Sequence, residues 1–324
     1  MSAYGLPWKG ALLVAALAMA GPAAADEWPA RNVTVIVPLG AGSASDTLAR
    51  LVMEQVGRQL GRTFVIENRP GAGGTIGANV VAKSAPDGYT VLAYAALAAS
   101  NALYARLPYD PVNDFIPVIV LGQQPLAVVT APSKGYRTLG DLIAAGKASP
   151  GALNYSSSGA GTSTHFALER LRVSAGFEAQ HVPFRGAQES LTEIMTGRVD
   201  FGVQTFSSTL AHIREGKVIA LAVSARERST IMPEVPTVIE AGLSRDAVYP
   251  FYSALYLPAK TPREIVEKLH REAAKALEAP AVRERLASMG VEPMPMSVDQ
   301  FGRFFREDVA ANLALAQAAR IKLQ

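Results

Sequence analysis

Residues Val37–Val52 read VPLGAGSASDTLARLV. An apolar, β-branched run, VTVIVP, leads into them and ends at Pro38. Small residues follow Gly40, then comes Asp46. From Leu48 the apolar positions Leu51, Val52, Val56 and Leu60 recur at helical spacing. Strand, small-residue loop and helix start together make a cradle for an anion. The first N–H groups of a helix lack internal partners, and the helix dipole places positive charge there. Gly40, Ala41, Gly42 and Ser43 leave room for a carboxylate or phosphate to approach the backbone. Ser43 or Ser45 suits the cap, and Asp46 the first turn. The same residues also cap helices that bind nothing, so the loop needs a second feature to give it meaning.

The rest of the chain repeats the alternation. TFVIENRP (63–70) reads as a strand, TIGANVVAKSA as a helix and TVLAYAAL (90–97) as a strand. Such alternation predicts an α/β protein with parallel sheets covered on both faces. DFIPVIVLGQQPLAVVTAP (114–132) breaks the pattern, an extended run interrupted by Gly122 and Pro125 with no helix. It suits a chain crossing between domains. Alternation resumes from TLGDLIAAGKA to KVIALAVSA, and FYSALYLPA (251–259) reads as the return crossing. Three helices follow: Pro262 to Leu277, Pro280 to Met289 and Val298 to about Ile321. The expected division is a discontinuous first domain, 26–124 and 248–324, with a second domain, 125–247, inserted. Two crossings make a hinge, and the carboxyl ends of both sheets face one cleft.

Residues 1–25 stand apart. Lys9 precedes the apolar stretch Ala11 to Ala20, and Ala23 to Ala25 offers a small-residue cleavage site. This pattern is a secretory signal peptide, too short to span a membrane. The chain has no cysteine, which excludes a disulfide framework and a cysteine metal site. Lys and Arg total 31 against 28 Asp and Glu, with no long basic block, so nucleic acid is not an expected partner.

The second feature is NYSSSGAGTSTHFALERL. Ser156, Ser157, Ser158, Gly159, Ala160, Gly161, Thr162 and Ser163 run from a strand into a helix, with His165 at its start. Eight consecutive small residues exceed what a cap requires. Two such loops across a hinge would close on an anion from both sides. A third strand end, HVPFRGAQESL, carries Arg185 and Gly186. Arg185 suits a bidentate carboxylate contact, or a surface pair with Glu189. In GRVDFGVQTFSS, Asp200 heads a strand as a turn residue or ligand contact, Gln204, Thr205 and Ser207 end it, and Thr205 and Ser207 point to the cleft rim.

Several chemistries lack their residues. PGAGGTIG has Ile76 where a dinucleotide loop needs its third glycine, and reads as a flexible loop at the cleft mouth. No phosphate-loop motif, G-x-S-x-G elbow or HExxH occurs, so no cofactor or metal is expected. A cradle serine with His165 as base is the enzymatic alternative, without a third triad member.

The motifs VTVIVPLGAGSASDTLARLV, VIENRPGAGGTIGANVVAKSAPDGYTVL, LPYDPVNDFIPV, LNYSSSGAGTSTHFALE, HVPFRGAQESL and LAVSARERSTIMPEVPTVIEAG occur in this order. The order resembles that of the Bug family, the extracytoplasmic solute-binding proteins of tripartite tricarboxylate transporters. The resemblance implies a type II periplasmic-binding-protein fold that closes on a small carboxylate, without catalysis. It places the ligand between Gly40–Asp46 and Ser157–His165. The implied partners are a small and a large membrane subunit, or a sensor kinase, met by a periplasmic monomer. This chain departs from the family at Ala41-Gly42-Ser43, where Pro-Gly-Gly is usual, and at Ala187-Gln188-Glu189, where Ala-x-Pro is frequent. At the last crossing, Tyr252 stands where Trp is frequent.

Overall fold

The computed structural model describes Met1 and residues 28–104, 106–249 and 251–318. The leader beyond Met1 and the expected helix end at Ile321 lie outside the described residues. Strands β1 (Val33–Val37), β2 (Phe64–Asn68), β3 (Thr90–Tyr94) and β4 (Phe115–Gln124) belong to one sheet. A second sheet contains β5 (Leu126–Thr130), β6 (Leu153–Ser157), β7 (Ala179–Pro183), β8 (Phe201–Thr205) and β9 (Ile219–Val223). The chain then returns to the first sheet with β10 (Phe251–Pro258). The orders are β2-β1-β3-β10-β4 and β7-β6-β8-β5-β9.

Both sheets are mixed rather than wholly parallel. β10 runs antiparallel to β3 and β4, and β5 antiparallel to β8 and β9. The crossings cause this. A strand that comes into a sheet from the cleft side must run against strands whose carboxyl ends point to the cleft. The change of sheet falls between Gln124 and Leu126, at Pro125, which has no amide hydrogen to continue a ladder.

In the first half, α1 (Ala44–Leu60) and α2 (Thr75–Ala82) follow β1 and β2, and the short α3 (Ser100–Leu103) follows β3. The expected strand 90–97 ends early: after Tyr94 the alanine-rich chain turns into helical turns over 97–103. Alanine favours helix and has no branched side chain to hold a strand. In the second half, α4 (Leu139–Ala148), α5 (Ser163–Ala175), α6 (Ala187–Met195) and α7 (Phe206–Arg214) cover the sheet. The chain closes with α8 (Arg263–Glu278), α9 (Pro280–Ser288) and α10 (Val298–Ala318). Among the described residues, no helix is long and apolar enough to cross a membrane.

Packing fixes the first cradle's helix. Leu48, Val52, Met53 and Val56 of α1 are fully buried against Val33, Val35 and Val37 of β1 and Val266, Leu269 and Ala273 of α8. Truncating any one of these larger residues to alanine removes about 2 to 5 kcal/mol by loss of burial and a residual cavity. A left-handed Gly61 ends the helix.

Asp200 is placed away from the cleft-facing ends of the strands. It precedes β8, whose other end, Thr205, meets the cleft. Its Oδ1 accepts from Lys134 Nζ at 2.7 Å and its Oδ2 from the Asn154 amide at 2.7 Å. Its carbonyl accepts from Thr130 Oγ1 at 2.6 Å. The expected ligand contact is therefore a knot joining β5, β6 and β8 at their far ends. Asp200→Ala is expected to cost about 2 to 4 kcal/mol in chemical denaturation, because it strands an amide and an ammonium. Asp200→Asn, which keeps one acceptor, should cost less than half as much.

Candidate functional site

Ser43 is the N-cap of α1, and its Oγ accepts from the Asp46 amide at 3.3 Å. Asp46 is buried and turned inward. Its Oδ2 accepts from the Gly42 amide at 2.9 Å, and its Oδ1 from Asn68 Nδ2 at 2.9 Å and Arg50 at 2.9 Å. Burial opposes its ionisation, but the bonds from Arg50, Gly42 and Asn68 prevail and hold its carboxyl below the usual range. Asp46 thus shapes the first cradle from within and is not among the residues lining the cavity. Gly42 has φ +78°, a left-handed turn that aims its amide at Asp46. Ser45 lines the cavity, and its Oγ also accepts from Ser253 Oγ at 3.1 Å, joining the cradle to β10.

The second cradle follows β6. Thr162 caps α5, and a left-handed Gly176 ends it. Ser158, Thr162, Ser163 and Thr164 line the cavity. Ser157 and His165 lie behind the loop instead. Ser157 Oγ is fully buried and bonds His181 Nε2 at 2.7 Å and the Gly159 carbonyl at 3.0 Å. His165 Nδ1 accepts from the Gly161 amide at 3.2 Å, so this nitrogen does not address a cradle serine as a base.

The rings of His165 and His181 stack at 3.9 Å, and Tyr155 stacks on the other side of His181 at 5.0 Å. The Tyr155 hydroxyl bonds Glu169, which also pairs with Arg172 at 2.7 Å. Burial, and then the neighbouring His165, push His181 down to about 3. Burial also lowers His165, partly offset by Glu169. The sequence placed His165 at the ligand. It did not reveal His181, which arrives from β7, the strand that pairs with β6 residue for residue.

A cavity of about 250 Å³ separates the two cradles. One wall is Leu39 to Ser45 with Ala95 and Ala96. The other includes Ser158, Thr162–Thr164, Arg185–Glu189, Gln204 and Thr205. Four helices, α1, α5, α6 and α7, begin at this cavity. Their first amides and positive dipole ends make it attractive to negative charge. At α6 the N-cap is Gly186, with no capping side chain. Glu189 turns back so that its Oε2 accepts from the Arg185 amide at 3.0 Å. No carboxylate among the described residues pairs with the Arg185 guanidinium, which is exposed at the cavity. Thr205 Oγ1 shares hydrogen bonds with the hydroxyls of Ser207 and Ser208, both at 3.0 Å.

The aromatic residue noted at the last crossing, Tyr252, does not line the cavity. Tyr252 is buried on the opposite side of β10, where its hydroxyl donates to Asp308 at 2.8 Å. Phe251, its neighbour, lines the cavity, as alternation along a strand requires. Ala95 and Ala96 were also missed, although they sit just beyond a strand end, as the cradles do.

Gly159, beside the cavity, and Gly161 belong to a clasp between the halves. Gly71–Gly74 and Tyr104 meet Ser158–Ala160 around a second space of about 570 Å³. Tyr104 donates to the Ala160 carbonyl at 2.8 Å, and Tyr94 bonds the Gly73 carbonyl. The glycine loop expected to be flexible is therefore packed. A Cβ at Gly73 would meet Ala160 and Tyr104, and one at Gly161 would meet the Tyr104 ring.

The profile of the family described as "Tripartite tricarboxylate transporter family receptor" matches residues 48–321. Protein BugT of Bordetella pertussis is 33% identical over 316 residues, 97% of each chain. MatC from Rhodopseudomonas palustris with bound malate has a similar structure, with TM-score 0.85 and 31% identity over 89% of this chain and 100% of that one. A second R. palustris protein with adipate gives TM-score 0.87 and 31% identity over 92% of this chain and 100% of the other.

Two outcomes test the geometry. Gly161→Ala should wedge the clasp open, raising the radius of gyration in solution scattering. Tyr104→Ala in the same chain should reverse the rise by removing the obstructing ring. The imidazole stack should make stability fall in acid. His181 stays neutral in the fold to about 3, whereas the unfolded chain takes up a proton near 6.5. Its contribution is complete above about pH 6.5 and is lost as pH falls from there towards 3. At pH 5 the loss is at most about 2 kcal/mol. Denaturation midpoints at pH 7 and 5 should show a smaller difference in His181→Gln than in the parent chain.

Proposed function

Because this chain belongs to the tripartite tricarboxylate transporter receptor family, we propose that it captures a small carboxylate between its two halves in the periplasm. It would then deliver the ligand to the small and large membrane subunits of such a transporter. The observation that carries the proposal is the opening of four helix N-termini onto one cavity beside the exposed Arg185. Helix N-termini bind carboxylates with backbone amides, and an arginine adds a bidentate partner. The volume of about 250 Å³ lies just below the usual range for ligand pockets, in keeping with a compact acid. Neighbours that hold malate and adipate support the carboxylate class.

The proposed contacts are backbone and side-chain groups at Gly40–Ser45, Ser158, Thr162–Thr164, Arg185, Gly186 and Thr205. The proposed hinge divides 26–124 with 248–324 from 125–247, supported by the change of sheet at Pro125 and the return to the first sheet at Phe251. Closure follows when the ligand touches both walls, since only the closed form makes both sets of contacts. Export by the leader brings the protein to the periplasm, where it works as a monomer.

A thermal-shift screen of mono-, di- and tricarboxylates tests the proposal. A true ligand at about 100 times its Kd adds about 2.7 kcal/mol of stability, a rise of several degrees in Tm. Calorimetry should then give one site per chain. A broad panel without a single shift would remove the carboxylate assignment.

A further inference from the structure

Among the described residues that line the cavity, Gln204 carries a buried acceptor that a carboxylate does not satisfy. Gln204, fully buried at the end of β8, lines the cavity. Its Nε2 donates to Ser190 Oγ at 2.8 Å, and Ser190 Oγ donates to Ser156 Oγ at 2.9 Å. Gln204 Nε2 and Ser190 Oγ are thereby committed to acceptors within the protein. Gln204 Oε1 is left buried without a hydrogen-bond partner. A buried acceptor without a donor costs free energy that a ligand recovers by supplying an O–H or N–H. A carboxylate oxygen cannot do so, because at neutral pH it only accepts.

We infer that Gln204 is a specificity-determining residue that selects a hydroxylated carboxylate: the helix starts hold the acid, and Gln204 Oε1 accepts from the ligand hydroxyl. This deepens the carboxylate reading and rests on it. An ammonium would also donate, but it would bring positive charge to a cavity where four helices present their positive ends. A neutral hydroxyl satisfies Oε1 without that repulsion. Sites built to bond a substrate hydroxyl reject the analogue that lacks it, because their own polar group is then left unpaired.

Matched acids on one carbon skeleton separate these possibilities by calorimetry. The probes are succinate with malate, glutarate with 2-hydroxyglutarate, 2-oxoglutarate and glutamate, and benzoate with its hydroxybenzoates. On whichever skeleton binds, the hydroxy acid should bind at least about tenfold more tightly than the plain acid. The oxo and amino acids should show no such gain. Gln204→Met, of similar shape and without the acceptor, should bring the hydroxy and plain acids to within about twofold. The preference in the unaltered protein requires no variant and stands as a test if the methionine variant folds poorly. Equal binding of hydroxy and plain acids, a preference for the oxo or amino acid, or a hydroxyl preference that survives in folded Gln204→Met overturns the role of Gln204 while leaving carboxylate binding intact. Failure of the whole carboxylate panel overturns both.

Discussion

A chain that crosses twice between two sheets must leave and re-enter each sheet on the side that faces the other. The strand that enters each sheet from the cleft therefore runs against its neighbours, as β5 and β10 do. The other strands end at the cleft, and the helices that follow them begin there. Helices α1, α5, α6 and α7 consequently open on one cavity. The anion-attracting character of the site follows from connectivity. Its positive potential comes from backbone amides and dipoles more than from side-chain charge, and Arg185 is the ionic supplement.

Small polar residues at such a site have two competing uses. They can face the cavity, or they can brace the loop that does. Asp46 braces, holding Gly42 and Asn68 in place. Ser157, His165 and His181 brace the second loop in the same way. Asp46, Ser157 and His165 are buried and His181 half-buried, and each satisfies an amide or hydroxyl that would otherwise be unpaired. The residues left to touch the cavity are mostly glycine, alanine, serine and threonine. Rigidity is thus supplied from behind by charge and aromatic stacking, and reach from the front by small side chains.

This division explains what could be read from the sequence. The two loops were legible because strand, small-residue run and capped helix have local signatures, and the crossing at Pro125 because it breaks an alternation. Which way a side chain turns was not legible, since it depends on partners far along the chain. Asp46 turns inward partly because Asn68 arrives from β2, and His165 because it stacks on His181 from β7. Asp200, at the head of β8, could be read as a turn residue or a ligand contact, and its distant partners Lys134 and Asn154 decide against the contact. Tyr252 and Phe251 differ by one position, and only strand register decides which of them meets the cavity.

Backbone recognition has a consequence for selectivity. Helix amides hold any carboxylate with little regard for the skeleton behind it, so the anchoring half of the site cannot discriminate strongly. Discrimination must come from side chains whose needs differ among acids. Along the far wall these are Arg185, Gln188, Gln204 and Thr205. Thr205 is already engaged with Ser207 and Ser208, and Arg185 lies in the mouth shared with the second space. Gln204 differs from both, since it is fully buried and one of its two amide atoms is committed to Ser190. A buried side chain held at one end cannot turn to suit a different ligand. Its remaining atom therefore imposes a fixed chemical demand, and the exposed groups around it can adapt to the rest of the molecule.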